Sequence, residues 1–189
     1  MSQTELPKRF LEAAAGHAGR NPPPVEKWNP AYCGEIDMRI ARDGRWFYLG
    51  TPITRLPLVK LFASILRRDP ERYVLVTPVE RVGIVVEDAP FLAVEMAPVE
   101  TSAGPAFAFR TNLDEIVVAG ADHPMRFELD QYGGLKPYLH VRGGLFARAT
   151  RSLALDLAAV LTEDAQGRPG LASAGAFFAL PDEALEVSV

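Results

Sequence analysis

The sequence predicts an α+β fold, mainly antiparallel β, made of two related strand-strand-helix-strand units. Three observations predict it. Leu58, Leu61, Phe62, Ile65 and Leu66 recur at i, i+3, i+4, i+7 and i+8, which is one apolar face of a helix. Around that helix lie short alternating runs bounded by turn residues, which read as strands. The pattern also occurs twice: each unit has two strands, a break at small residues, a long helix, and a short strand closed by proline (Val76-Thr77-Pro78 and Ala179-Leu180-Pro181). The two helix starts lie about 90 residues apart, as in an old duplication.

Each element has a local reason. Residues 4–18 predict a short helix with Leu6, Phe10, Leu11 and Ala14 on one side, and Arg20 to Pro24 a stiff polyproline-like connector. From Glu35 to Ala41, Ile36, Met38 and Ile40 face one way and Glu35, Asp37 and Arg39 the other. Asp43-Gly44 is a hairpin signal, and Arg45 to Leu49 returns as the partner strand. The first helix is expected from an N-cap at Thr54, with Pro57 in its first turn, to Arg67 and Arg68, stopped by Asp69-Pro70. Tyr73 to Thr77 closes the unit. A boundary near Pro78 gives three parts: residues 1–24, 25–78 and 79–189.

The third part reads as a series of strands at 81–87, 91–98, 106–110, 115–119, 125–129 and 138–142. A second helix is expected over 145–161, with Phe146, Ala149, Leu153, Leu157 and Val160 as its stripe, and a last strand over 176–180. Six strands followed by one helix outline a pleckstrin-homology-like domain.

Bulk properties exclude some classes. Apolar residues make up 48% of 189, enough for a proper core. The formal charge of −4 argues against a general nucleic-acid binder. No run approaches a membrane span, and the first residues lack an apolar h-region. A single cysteine, Cys33, allows no internal disulfide and suits a reducing compartment, so a cytoplasmic location is expected. Of the 20 basic residues 16 are Arg. Arg suits phosphate and carboxylate, although a GC-rich genome gives the same bias.

Several stretches together resemble the bacterial domain-of-unknown-function family 1285. In the first region these are Trp28, Gly34-Glu35-Ile36-Asp37, Asp43-Gly44, Tyr48, Gly50-Thr51-Pro52-Ile53 with Arg55, Thr77-Pro78-Val79-Glu80 and Asp88-Ala89-Pro90-Phe91. In the second they are Pro137-Tyr138-Leu139, Val141-Arg142, Leu145, Ala147-Arg148 and Arg151. The match spans most of residues 24–180. The resemblance implies a duplicated core, a pleckstrin-like second domain, a ligand site between the two domains, a nucleotide-like ligand and a signalling role.

Residue chemistry gives no catalytic signature. His17, His123 and His140 are scattered, so no metal is expected, and no cofactor motif is present. His123, in a turn before Pro124, is expected to be exposed and Cys33 buried. Ser173 lacks a glycine two residues earlier, so the nucleophile-elbow pattern fails. Gly143-Gly144 at a helix start is a weak anion site. Glu35 and Asp37, about 7 Å apart on one strand face, could serve acid–base chemistry in a hydrolase, but such mixed stripes are usually solvated. Tyr138, His140 and Arg142 are expected on one strand face, followed by Arg148 and Arg151 at i, i+3 on the helix. Together they form an aromatic and cationic platform for a base and its phosphates, unless the arginines pair with acids. Tyr48, Arg55 and Lys60 surround the first strand-to-helix turn. The reading these support is a non-catalytic sensor or adaptor that binds a small anionic, nucleotide-like ligand between the domains. The alternatives are the hydrolase and a protein-interaction module with a protein partner; neither nucleic acid nor membrane is an expected partner.

Overall fold

The computed structural model describes residues 22–184. The helix expected over 4–18 and the first half of the connector lie outside them. The chain divides into two compact units at Asp88/Ala89.

In the first unit six strands form one sheet: β1 (Tyr32–Ile40), β2 (Trp46–Tyr48), β3 (Thr51–Pro52), β4 (Leu66–Arg68), β5 (Tyr73–Val76) and β6 (Arg81–Val86). Their spatial order is β3-β2-β1-β6-β5-β4. Two antiparallel meanders therefore meet at a parallel pair, β1 against β6. The strand over 81–87, expected in the second part, is central here, so the boundary falls ten residues later than Pro78, at Asp88. Met38 and Ile40 are buried and Glu35 and Asp37 exposed, as the alternation requires.

The first helix, α1, covers only Leu56–Ser64, between β3 and β4. Arg55, not Thr54, is its N-cap, and no side chain caps it. Its buried face is Val59, Phe62 and Ala63. Ile65 ends it, and Leu66–Arg68 pairs with Tyr73–Leu75 as a strand. Leu66 is buried either way, so the helical period continued into residues whose partner is a β-branched strand. Arg67 is thus no helix-end cation. It is buried, and its guanidinium donates to the carbonyls of Val25 (2.9 Å) and Trp28 (2.6 Å) and to Asp69 (2.8 Å). It holds the entering chain, a single 3-10 turn at Val25–Lys27, onto the sheet.

The second unit repeats the sheet plan. Strands β7 (Phe91–Thr101), β8 (Gly104–Thr111), β9 (Ile116–Val118), β10 (Met125–Leu129), β11 (Leu135–Arg142) and β12 (Leu145–Ala149) lie in the order β10-β11-β12-β7-β8-β9. Again two antiparallel meanders share a central parallel pair, β7 with β12. The duplication is of sheets, not of helices: α1 follows the third strand of its unit, whereas α2 (Arg151–Ala158) follows the sixth. The helix expected over 145–161 is a strand and a shorter helix. Leu145, Ala147 and Ala149 are buried while Phe146 and Arg148 are half-exposed, a period of two. Thr150 then caps α2, its Oγ1 accepting from Leu153 N–H at 3.3 Å. Gly143-Gly144, with φ of 48° and 73°, is a hairpin turn rather than a helix start.

A small sheet, β13 (Thr162–Glu163), β14 (Pro169–Ser173) and β15 (Ala176–Ala179), completes this unit. Buried Ser173 accepts from Phe107 N–H and donates to Ala119 C=O, tying β14 to the larger sheet.

Two hairpin turns close on aspartates. Asp164 lies below its ordinary 3.8 chiefly because it accepts from Arg168 N–H, helped by the Arg168 guanidinium and Gln166 N–H. Asp130 is lowered by the N–H groups of Gly134 and Tyr132. A depressed folded-state pKa contributes stability above the unfolded value that is lost as pH falls through the folded one. Urea midpoints are therefore expected to fall as pH drops from about 5 toward 2. Asp130→Asn with Asp164→Asn, which keep an acceptor without its charge, should flatten that fall.

Candidate anion-binding site

Of the five residues expected to form the platform, Tyr138, His140 and, across the strand pair, Arg148 share a face, whereas Arg142 leaves it and Arg151 begins the following helix. In the first unit Tyr48 is half-buried on β2 opposite Met38, its phenol raised by burial and then by Asp37. Arg55 is exposed at the start of α1, and Lys60 is half-buried on that helix. In the second unit a bulge between His140 and Arg142 turns the strand over. His140 opposes Phe146, whereas Arg142 opposes Leu145, so Arg142 leaves the Tyr138–His140 face and lies 5.2 Å over the ring of Phe91. Arg148 is on strand β12 opposite Tyr138, not on a helix, and Arg151 is exposed in the first turn of α2.

Two further cations, for which the sequence offered no signal, share the Tyr138 face. Arg126 opposes Tyr138, and its guanidinium lies 4.2 Å over that ring and 4.8 Å over Phe146. Lys136 Nζ is 5.3 Å from the same ring, and Glu128 pairs with both cations. Tyr138 is 2% exposed, so its stacking surface is already covered. His140 is likewise committed. Its Nε2 faces Gly144 N–H at 3.2 Å and its Nδ1 faces Asp122 C=O at 3.3 Å, which assigns the neutral Nδ1–H tautomer. His123, expected to be exposed, is half-buried with Nδ1 3.2 Å from His140 C=O. Cys33, expected to be buried, is exposed. Glu35 and Asp37 are both exposed, an ordinary solvated strand face.

A different cluster forms an open cavity. In the first unit Tyr32, Asp69, Pro70, Glu71, Arg72 and Arg81 line about 440 Å³. The topology assembles it. Parallel pairing sets Tyr32 beside Arg81, and the β4–β5 turn carries Asp69 to Arg72, closed by reciprocal backbone bonds between those two. The Tyr32 ring is allowed across the sheet by Gly83, where an added Cβ would lie 2.7 Å from the Tyr32 hydroxyl. The Arg72 guanidinium stands 4.8 Å over the ring and that of Arg81 5.9 Å from its centroid. Hydrogen bonding to Tyr32, then its charge and Glu71, raises the Arg72 pKa, so the group stays cationic.

Asp69 is shared. One oxygen accepts from Arg67 Nε at 2.8 Å and the other from Arg81 Nη1 at 3.1 Å. Glu71 meets Arg72 only at 3.4 Å and is 83% exposed, a weak surface pair. Arg81 Nε is buried and has no hydrogen-bond partner among the described residues. An unpaired buried donor costs about 1–3 kcal/mol. Tyr32, unlike Tyr138, keeps 37% of its surface open. Sequence offered no signal for this cluster. Tyr32 and Arg81 come from two strands and Arg72 from the β4–β5 turn, and a parallel pairing leaves no mark as local as a hairpin turn.

The fold and cavity define a two-unit α+β protein built on a repeated six-strand sheet. The chain belongs to the DUF1285 family: residues 23–89 match the family's N-terminal domain of unknown function, and residues 90–180 match its C-terminal domain. A DUF1285 family protein from Silicibacter pomeroyi DSS-3, with a 2.50 Å crystal structure, is 45% identical. The TM-score is 0.83, over 94% of this chain and 97% of that one. A second member, from Shewanella baltica OS155 at 1.40 Å, is 29% identical with a TM-score of 0.51, over 65% of this chain and 90% of its own. No curated protein matches the chain. No helix among the described residues is long and apolar enough to cross a membrane.

Proposed function

We propose that the chain is a non-catalytic binding protein whose first unit takes a small anionic ligand, and that binding serves sensing or signalling. The observation that carries this is the cavity of about 440 Å³ in which a partly open tyrosine ring lies against two guanidinia. Its size falls within the range of small-molecule sites. Arg72 and Arg81 face Asp69 and Glu71 across it, and Asp69 is divided between Arg81 and the buried Arg67, so its charge is already met. A nucleotide-like ligand fits this chemistry, with a base on the ring and a phosphate on the arginines. The pleckstrin-homology-like reading of the second unit belongs to the same proposal. Its support is six strands followed in sequence by a helix with Leu153 and Leu157 buried.

Thermal shift of the full chain against inorganic phosphate and adenosine monophosphate tests the reading. The melting temperature is expected to rise with either probe. Arg72→Ala should abolish the rise while moving the ligand-free melting temperature by no more than about 2 °C, since Arg72 is a surface group. A wild-type melting temperature indifferent to both probes up to about 10 mM would overturn it.

A further inference from the structure

We propose that the ligand's head group is an oxyanion with two coplanar acceptor oxygens, phosphoryl or carboxylate, held on the Nε–Nη2 edge of Arg81, and that Tyr32 is the gate over that edge. The inference rests on the anion-binding reading above and specifies how the site selects. All side-chain hydrogen bonds of Arg81 among the described residues run through Nη1, to Asp69. The opposite edge of the planar guanidinium is the one whose Nε is buried without a partner. That edge presents two parallel N–H groups at the spacing of a carboxylate or phosphate, and a bidentate pair there leaves the Asp69 bond intact. A spherical anion cannot use both donors as well.

The Nε is shut off from solvent, so something must move before an anion reaches it. Tyr32 is the candidate on three grounds. Its ring lies against Arg81, it is partly exposed, and it rests on Gly83, which offers no side chain to hold it. Displacing the ring also frees Arg72 from its contact with Tyr32, so one motion presents both cations. A closed gate lowers the apparent affinity by the fraction of molecules that are open.

Titration calorimetry of the full chain with inorganic phosphate, acetate and chloride tests this. Wild type is expected to bind phosphate or acetate in preference to chloride, and whichever oxyanion binds tighter names the head group. Tyr32→Ala, which removes the gate, should tighten that oxyanion by about tenfold. Gly83→Ala, whose Cβ would press on the Tyr32 hydroxyl, is an independent way to open it and should act in the same direction. Arg81→Lys keeps the charge beside Asp69 but loses the fork, and should weaken the oxyanion by about tenfold or more and erase its preference over chloride. If Tyr32→Ala and Gly83→Ala bind no better than wild type, Tyr32 is a wall and not a gate. If Arg81→Lys keeps affinity and preference, the edge is unused. Either result overturns this inference and leaves anion binding standing. Failure of both oxyanions to bind wild type and Tyr32→Ala alike overturns the two together.

Discussion

Arg67→Ala is expected to destabilise the first unit by about 3–5 kcal/mol, the range for breaking a buried ion pair from one side. The guanidinium is buried, and its removal takes a donor from three acceptors at once: the carbonyls of Val25 and Trp28 and one oxygen of Asp69, although Val25 C=O keeps the N–H of Trp28. The carboxylate keeps Arg81, so part of its cost is offset. Both tryptophans of the chain, Trp28 and Trp46, lie in the first unit, so tryptophan fluorescence in urea reports on that unit alone. Arg67→Lys should recover only part of the loss, since one ammonium cannot reach all three acceptors in the same geometry. A loss below about 1 kcal/mol for the alanine variant would mean that Arg67 is a surface-like pair after all.

Phe62→Ala should cost a comparable amount, about 3–5 kcal/mol. Phe62 is fully buried on α1 and stacks on Trp46, with ring centroids 6.2 Å apart and planes inclined by 20°. The void would open beside the indole, so native-state fluorescence should shift along with the urea midpoint. Phe62→Leu keeps most of the volume and should lose much less. A midpoint unchanged in Phe62→Ala would place the contact between helix and sheet elsewhere.

Phe62 also shows how far sequence reading goes. Its helical period was legible because it depends on neighbours three and four residues away. The same period misled at Leu66 and Arg67, where pairing with Tyr73 to Leu75 decided the conformation. In the second unit, Leu145 to Ala149 satisfied a helical stripe and a strand alternation alike, and the cap at Thr150 was the discriminating signal. The face of Tyr138 and His140 was read correctly, but one unpaired residue in a bulge sent Arg142 to the other side. Tyr32, Arg72 and Arg81 were beyond reach for a plainer reason. Their proximity depends on β1 lying parallel to β6, a contact across about 50 residues that no local rule encodes.

That parallel pairing has a consequence for how the chain folds. In each sheet the first and the last strand of the unit are the two central neighbours: β1 beside β6, and β7 beside β12. Each three-strand meander can form from near neighbours, but the seam between meanders waits for the most distant strand. Contacts of such high sequence separation slow folding, because the loop between them must be ordered first. During synthesis, the outer hairpins of the first unit can zip early on the ribosome, with the inner edge of β1 left open. Arg81 to Val86 then closes that edge as the final step, before most of the second unit has been translated. In that interval the open edge of β1 can pair with a neighbouring copy, a hazard that ends once β6 has docked.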